Sequence, residues 1–153
     1  MINRWPISQI LLREILDDHI TDDFVCRLIW ERLGYQKKGD SSNNFSAGLN
    51  TPDYWSSKFP EAPLLIAKRS AAVHLTRSIP KEFKQSLKKH LNFEGYLIGE
   101  LFPRRTRRAT AVNWLLAWTL SQKEDLPKTG PLPSLLQEPS NPLLGHPGDP
   151  PIE

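Results

Sequence analysis

The chain has 153 residues, of which 39 % are hydrophobic and 24 % are charged, and its formal net charge is +3. This length and balance predict one ordinary globular domain and exclude a wholly disordered chain. The single cysteine, Cys26, excludes an internal disulfide and favours a reducing compartment. The N-terminal segment has neither the charge pattern nor the apolar run of a signal peptide.

Two amphipathic helices joined by a tight turn are predicted at the start of the chain. The first begins at Ser8 or Asn3. Thr21 is a predicted N-cap for the second, where Asp22–Asp23 complements the helix dipole. Gly34 is a good C-terminal stop. The apolar residues at helical spacing are Ile7, Ile10, Leu11, Ile15 and Leu16, then Phe24, Val25, Leu28, Ile29 and Leu33.

The middle of the chain alternates polar loops with short elements. Lys37–Asn50 is rich in Ser, Asn and Gly and predicts a loop. Thr51–Asp53 starts a short helix that ends before Pro60. The β-branched and apolar residues of Ala71–Ile79 then predict a strand.

Further elements are predicted before the last helix. Lys81–Leu91 is amphipathic and indicates a helix with Asn92 as its stop, and Gly95–Leu101 indicates a second strand. The predicted fold class is therefore α+β, a mostly helical small domain with a short two-stranded β element. A winged-helix arrangement is disfavoured, because no helix has the exposed polar face that DNA recognition needs.

The stretch Pro103–Gln122 predicts a buried C-terminal helix with a cationic start. It opens with four arginines in five residues and then runs from Ala109 to Gln122 without a charge. Pro103 suits the first helical position, where a missing N–H costs nothing. One helical face is formed by Ala111, Trp114, Leu115 and Trp118.

Arginines are unfavourable at a helix start, because the positive end of the helix macrodipole destabilises each cation there by about 0.3–1 kcal/mol. Arg104, Arg107 and Arg108 also fall on the side of the core face. Two interpretations stay open: the arginines bind an anionic partner, or they are paired inside the protein. Internal partners would be Asp17, Asp18, Asp22, Asp23 or Glu31.

Charge is concentrated in the middle of the chain, where residues 68–108 carry a net charge of +8 between two acidic segments. Arginine forks suit phosphate or carboxylate, and lysines add longer-range attraction. For the lysines the alternative is an ordinary solvated helix face. The basic residues before the four arginines are Lys68, Arg69, Arg77, Lys81, Lys84, Lys88 and Lys89. We assign the predicted anionic-partner site to Arg77, Lys81, Arg104, Arg105, Arg107 and Arg108.

The sequence indicates no catalytic, cofactor or metal site. The acidic cluster around His19 matches no calcium loop, and helix capping explains its second pair of aspartates. Cys26 lies between apolar helical positions, where cysteine behaves as a small hydrophobe. No glycine-rich phosphate loop, nucleophile elbow or zinc spacing is present. We therefore expect neither an enzyme nor a cofactor.

Residues 123–153 differ in composition from the rest of the chain. They hold eight of the fourteen prolines and no aromatic residue. This composition predicts an extended or disordered tail. The predicted organisation is one α+β globular domain, residues 1–122, followed by this Pro-rich tail.

Several segments resemble a domain of unknown function found in cyanobacteria and in the plastids of plants and algae. They are ILDDHITDDFVCRLIWERLGY (Ile15–Tyr35), LTRSIPKE (Leu75–Glu82), GYLIGEL (Gly95–Leu101) and PRRTRRATAVNWLLA (Pro103–Ala117). The resemblance covers about 7–122 and implies the interior of an oxygenic phototroph, cytoplasmic or stromal. It implies no catalytic residues.

The family pattern has polar residues where this chain has Phe83 and Phe102, so the arginine-headed helix is expected to lack a hydroxyl cap. Two functions follow as expectations. The first is a non-enzymatic binding module for an anionic macromolecule, such as structured RNA or a ribonucleoprotein. The second is an assembly or regulatory adaptor, in which the same arginines meet an acidic protein face of a photosynthetic complex.

Overall fold

The computed structural model describes residues 4–39, 44–97, 99 and 102–153. Within these residues the chain is mostly helical, with one antiparallel two-stranded sheet, which confirms the predicted α+β class. In the described part, no helix is both long enough and apolar enough to span a membrane. The elements are α1 (Gln9–Leu16), α2 (Asp22–Leu33), β1 (Gln36–Lys37), β2 (Phe45–Ser46), α3 (Asp53–Ser56), α4 (Arg69–Ser78), a 3₁₀ turn (Lys81–Phe83), α5 (Ser86–Leu91) and α6 (Pro103–Ser121).

The predicted helix ends of the N-terminal hairpin are confirmed. The Ser8 hydroxyl accepts a hydrogen bond from the N–H of Leu11 at 3.2 Å, and the Thr21 hydroxyl accepts one from Phe24 at 3.1 Å. Both bonds satisfy N–H groups that a helix start leaves unpaired. Gly34 ends α2 in the left-handed region at φ +84°, where a side chain would be strained.

The helix α6 lies at the centre of the domain and contacts α1, α2, α4 and α5. It starts at Pro103 without a side-chain cap, as expected from Phe102. The apolar half of α6 is enclosed on most sides, because four other helices contact α6. Its buried apolar residues are Ala111, Val112, Trp114, Leu115, Leu116 and Ala117.

The predicted strand over Ala71–Ile79 is wrong, because this segment belongs to the helix α4. Its buried residues recur at helical spacing, as Ala71, Ala72, His74 and Leu75. The β-branched Val73, which favoured a strand, is 38 % exposed and lies on the outer face. The spacing of buried residues therefore prevailed over β propensity.

Other predicted boundaries also change. The β element overlaps the predicted loop over Lys37–Asn50: β1 ends at the first residue of that loop and β2 lies inside it. The two strands pair in the register Gln36↔Ser46 and Lys37↔Phe45. The predicted helix Lys81–Leu91 is divided into the 3₁₀ turn and α5. Of the predicted strand Gly95–Leu101, residues 95–97 form no strand, and residues 98, 100 and 101 lie outside the described residues.

Residues 123–153 form neither helix nor strand and lie against the domain. The carbonyls of Pro127 and Lys128 accept hydrogen bonds from the N–H groups of Gln9 and Ile10, at 2.9 and 3.1 Å. These donors belong to the first turn of α1, which has no intrahelical acceptor for them. The tail thereby completes the capping of a helix that is far away in sequence.

Candidate anion-binding surface

Arg104 is buried in the N-terminal turn of α6, with 1 % of its surface exposed. Its two terminal nitrogens donate to the two carboxylate oxygens of Asp18 at 2.6 and 2.8 Å. Its Nε donates to Asp22 at 3.0 Å. This forked geometry is the strong form of an arginine–carboxylate pair.

Arg108 lies one helical turn further and is 0 % exposed. One terminal nitrogen donates to Asp22 at 2.6 Å, and the other donates to the carbonyls of Ile15 and Ile20 at 2.8 and 2.7 Å. These two carbonyls flank the turn between α1 and α2. Arg108 therefore holds the helical hairpin on α6.

The carboxylates of this cluster are held in place by the chain around them. Asp18 adopts a left-handed backbone at φ +66°, which aspartate tolerates better than most residues. Asp149 of the tail accepts hydrogen bonds from the N–H groups of Asp22 and Asp23, at 3.0 and 3.3 Å, and so caps α2. His146 Nδ1 lies 4.0 Å from Asp18 and 3.9 Å from Asp149.

The electrostatics of this cluster favour the charged forms. Burial acts to raise the pKa of Asp18, but the hydrogen bond from Arg104 and the charge of Arg108 outweigh it and lower that pKa below 3.8. Burial likewise opposes the charge on Arg104, yet the bonds to Asp18 and Asp22 raise its pKa. Asp18 and Arg104 keep their charges because their partners replace the water that they lost.

The predicted binding role of Arg104 and Arg108 is therefore corrected. Both side chains are enclosed and paired with this chain's own aspartates, so neither can reach a partner at the surface. For these two residues the internal interpretation is the right one. Their charge serves the packing of α6 against the α1–α2 turn.

Arg105 has a third environment, between the domain and the tail. Its terminal nitrogen lies 3.8 Å from a carboxylate oxygen of Glu138. Its guanidinium lies over the rings of Tyr96 and Phe102, at 5.8 and 5.7 Å from their centroids. Only 13 % of its side chain is exposed, so Arg105 offers little to a partner.

Arg107 and Arg69 line a cleft of about 590 Å³ between α4 and α6. Arg107 donates to the carbonyls of Ile66 and Ala67 at 2.8 and 3.3 Å. Burial, with a smaller contribution from the like charge of Arg69, lowers the pKa of Arg107. In the described part of the chain, neither arginine forms an ion pair with an acidic side chain.

Helix starts add positive potential to this cleft. The lining includes Arg69, the first residue of α4, and Pro103, the first residue of α6, and neither helix has a side-chain cap. Uncapped N–H groups and the helix dipole both favour an anion at such a place. The positive charge of two arginines and the positive ends of two helices are therefore concentrated at one cleft.

A neighbouring cleft of about 500 Å³ continues the basic surface toward α5. The two clefts share Thr76 and Thr110 as lining residues. The second is lined by Lys84 and Lys88 and by one acid, Glu94. We name the two adjoining clefts together the basic groove.

The remaining predicted site residues lie outside the basic groove. Arg77 is exposed at the end of α4 and lines a different, aromatic cleft. Lys81 is exposed on the 3₁₀ turn. Of the six predicted residues, the structure thus leaves Arg107 in the basic groove and places it with Arg69, Lys84 and Lys88.

Sequence reasoning missed the residues that the tail contributes. Asp149 and His146 are separated from α2 by more than a hundred residues, and no local spacing relates them to it. The one signal in the sequence was charge, since aspartates that are buried beside arginines need further polar partners.

Cys26 is buried, as expected of a small hydrophobe, and burial raises the pKa of its thiol to about 12.

The fold and its charges define a small, mostly helical α+β domain with a buried arginine–aspartate cluster and a basic groove. A family model described as "Domain of unknown function (DUF1823)" matches residues 6–120, and the chain belongs to this family. A structure determined by solution NMR is similar, with 45 % sequence identity and a TM-score of 0.65. The match covers 77 % of this chain and 97 % of the other. No curated protein matches the sequence.

Proposed function

We propose that this protein is a non-enzymatic binding module that docks an anionic surface, of structured RNA or of a ribonucleoprotein, through the basic groove. The observation that carries the proposal is the cleft between α4 and α6. Arg69 and Arg107 line it together, and neither has an acidic partner in the described part of the chain. Two like charges held close together are relieved by an anion that contacts both.

RNA is the favoured anion because of how the positive charge is distributed. Lys84 and Lys88 extend the lining beyond the two arginines, and Glu94 is the one acid that lines the groove among the residues that the structure describes. A row of arginines and lysines along a groove suits successive phosphates better than a single carboxylate. The groove also lies between helices that are fixed by the core, so it is ready to receive a backbone of regular shape.

The resemblance to a family of cyanobacteria and plastids supports a setting for this module. We place it in the cytoplasm or stroma of an oxygenic phototroph. Such a compartment is reducing in character and suits a chain whose one thiol is buried and unpaired.

A salt titration tests the proposal. The affinity of the full chain for a labelled hairpin RNA is measured between about 50 and 200 mM salt, where the slope counts released counterions. We expect Arg69→Gln and Lys88→Gln each to weaken binding about fivefold near physiological salt and to reduce the slope by about one. Lys37→Gln, an exposed change in β1 outside the groove, is the matched control.

Two results would contradict the proposal. One is an affinity for RNA that does not fall with salt, and the other is an equal loss in Lys37→Gln and Arg69→Gln. Salt-tolerant capture of one purified acidic complex, lost in Arg69→Gln, would instead favour the adaptor of a photosynthetic complex. The same arginine fork accepts a carboxylate, as Arg104 does with Asp18.

A further inference from the structure

A cleft of about 460 Å³, separate from the basic groove, lies between α3, the end of α4 and the C-terminal half of α6. Its lining is aromatic, with Tyr54, Trp55, Trp114 and Trp118, and Arg77 belongs to it as well. None of its lining residues comes from the tail. We name it the aromatic cleft.

The indole N–H groups of three tryptophans that line the aromatic cleft have no acceptor within the described part of the chain. They belong to Trp55, Trp114 and Trp118. Trp55 is 3 % exposed and Trp114 is 6 % exposed, so both rings are almost wholly enclosed. Neither indole nitrogen is among the fully buried nitrogens that lack a partner, so solvent reaches both. Buried tryptophans normally find an acceptor for this group.

The other two tryptophans of the chain show which acceptor this fold uses. Trp5 donates from its indole nitrogen to the carbonyl of Pro131 at 3.1 Å. Trp30 donates to the carbonyl of Pro63 at 2.9 Å. In both pairs the acceptor is a prolyl carbonyl in an irregular segment. The three tryptophans of the aromatic cleft are the ones left without such a partner.

The aromatic cleft is held rigidly before any ligand arrives. The Tyr54 ring stacks on His74 with centroids 3.9 Å apart and planes 18° apart. Two hydrogen bonds fix this pair, from His74 Nε2 to the Tyr54 carbonyl at 2.7 Å and from the Tyr54 hydroxyl to the His74 carbonyl at 3.1 Å. Arg4 and Arg32 lie over Trp118, at 4.8 and 5.3 Å from its ring centroid. Fixed rings lose little entropy when a ligand binds.

One rim of the aromatic cleft carries a positive charge. Arg77 is exposed and, in the described residues, forms no ion pair. A ligand that fills the cleft would therefore meet a cation beside the aromatic rings. A carboxylate on the ligand would be the complementary group.

We propose that the aromatic cleft binds an extended, proline-rich peptide that carries an acidic residue near Arg77. The backbone carbonyls of a polyproline II peptide make no internal hydrogen bonds, so they are free to accept from indole N–H groups. Its stiff apolar rings pack against accessible aromatic side chains, here those of Tyr54 and Trp118, which is the established way that such peptides are recognised. This site is separate from the basic groove and does not depend on the function proposed for that groove.

Indole N–H signals in an NMR titration test the proposal directly, because each tryptophan reports on its own hydrogen bond. The full chain is labelled with ¹⁵N and titrated with a synthetic peptide of Pro-Pro-Glu triplets. We expect the signals of Trp55, Trp114 and Trp118 to move in a saturable way. The signals of Trp5 and Trp30, which already donate to prolyl carbonyls, should stay in place.

Two variants and a control peptide sharpen the test. Trp118→Phe keeps a ring but removes one N–H donor, and it should weaken binding about three- to tenfold. Trp5→Phe removes an N–H that the aromatic cleft does not use, and it should leave the affinity unchanged. A peptide of Ala-Ala-Glu triplets has the same charge without the stiff backbone and should bind at least tenfold more weakly.

Three results would overturn the proposal. They are indole signals that do not move at millimolar peptide, equal binding of the alanine peptide, and an equal loss in Trp5→Phe and Trp118→Phe. Movement of the three signals with protein concentration alone would also overturn it, because a second copy of the chain would then occupy the cleft. The hairpin RNA should leave all five indole signals in place, which separates this site from the basic groove.

Discussion

Arg107 and Arg108 are neighbours in the sequence and lie in opposite environments. Arg108 is enclosed, with a carboxylate and two carbonyls as acceptors, whereas Arg107 keeps one side open to a cleft that it lines with another arginine. The helical turn of about 100° per residue separates them. The comparison teaches that residue type and local spacing do not decide the role of an arginine on α6. The segment that packs against its face decides it.

The inner face of α6 meets the α1–α2 turn, which brings Asp18 and Asp22 to Arg104 and Arg108. The outer face meets the start of α4, which brings Arg69 and, among the described residues, no acid. A buried ion pair is weak evidence for net stability, since desolvation offsets much of the attraction. Breaking such a pair is different, because the remaining charge stays buried without a partner.

The largest loss of stability is expected when the ion pairs on the inner face of α6 are removed. Arg108→Ala leaves Arg104 as the one cation facing the buried carboxylates of Asp18 and Asp22. The cluster then holds an uncompensated buried negative charge, so we expect the free energy of unfolding to fall by about 3–5 kcal/mol. Urea unfolding followed by tryptophan fluorescence measures the change. The exposed Lys88→Ala, on α5, is the control and should change it by less than about 0.5 kcal/mol. A loss below about 1 kcal/mol in Arg108→Ala would show that the cluster contributes little.

Acidification should weaken the ion pairs on the inner face of α6 without changing the basic groove. The pKa of Asp18 is lowered in the folded chain, so its contribution to stability is present above 3.8 and is lost as pH falls through the folded value. We expect the free energy of unfolding to decline below about pH 4, measured by urea titrations at several pH values. Asp18→Asn should be less stable at neutral pH and should flatten this decline. An unchanged decline in Asp18→Asn would place the acid sensitivity elsewhere.

The tail supports the inner face from outside the helices, and removing that support should have a smaller effect. Asp149→Ala deprives Asp22 and Asp23 of the carboxylate that caps α2, so we expect a loss of about 0.5–2 kcal/mol. Thermal unfolding measures it. Asp125→Ala, an exposed change in the same tail, should be neutral within about 0.5 kcal/mol. Equal losses in the two variants would mean that capping is not the cause.

Patterns that lie within one element were predictable from the sequence. The hydroxyl caps at Ser8 and Thr21, the glycine stop at Gly34 and the proline start of α6 are each confirmed. Each depends on interactions across three or four residues, which the sequence contains in full. The helical part of the fold class followed from the same local signals, whereas the two observed strands lie outside the two predicted ones.

Arrangements that depend on distant residues were not predictable. The β-branched Val73 favoured a strand, but the burial of Ala71 and Leu75 on one side decided for a helix. The site shows the same limit, because the exposure of each arginine depends on which segment packs against α6. Asp18 was among the proposed internal partners, but its pairing with Arg104 spans 86 residues, and spacing alone could not choose between that pairing and an open surface.

The smallest change in stability is expected from a substitution on the outer face of α6. This substitution also distinguishes most clearly between the environments of Arg107 and Arg108. Arg69→Gln removes a charge that has no acidic partner in the described residues and that opposes the charge of Arg107. The free energy of unfolding should therefore stay within about 0.5 kcal/mol of the unmodified chain. The affinity for hairpin RNA should nevertheless fall about fivefold near physiological salt. Arg108→Ala should show the opposite pattern, with a large loss of stability and little change in RNA affinity. Its RNA affinity is measured under conditions in which the variant is still folded. If Arg69→Gln lost more than about 1 kcal/mol of stability, Arg69 would belong to the fold, and the distinction between the two faces of α6 would fail.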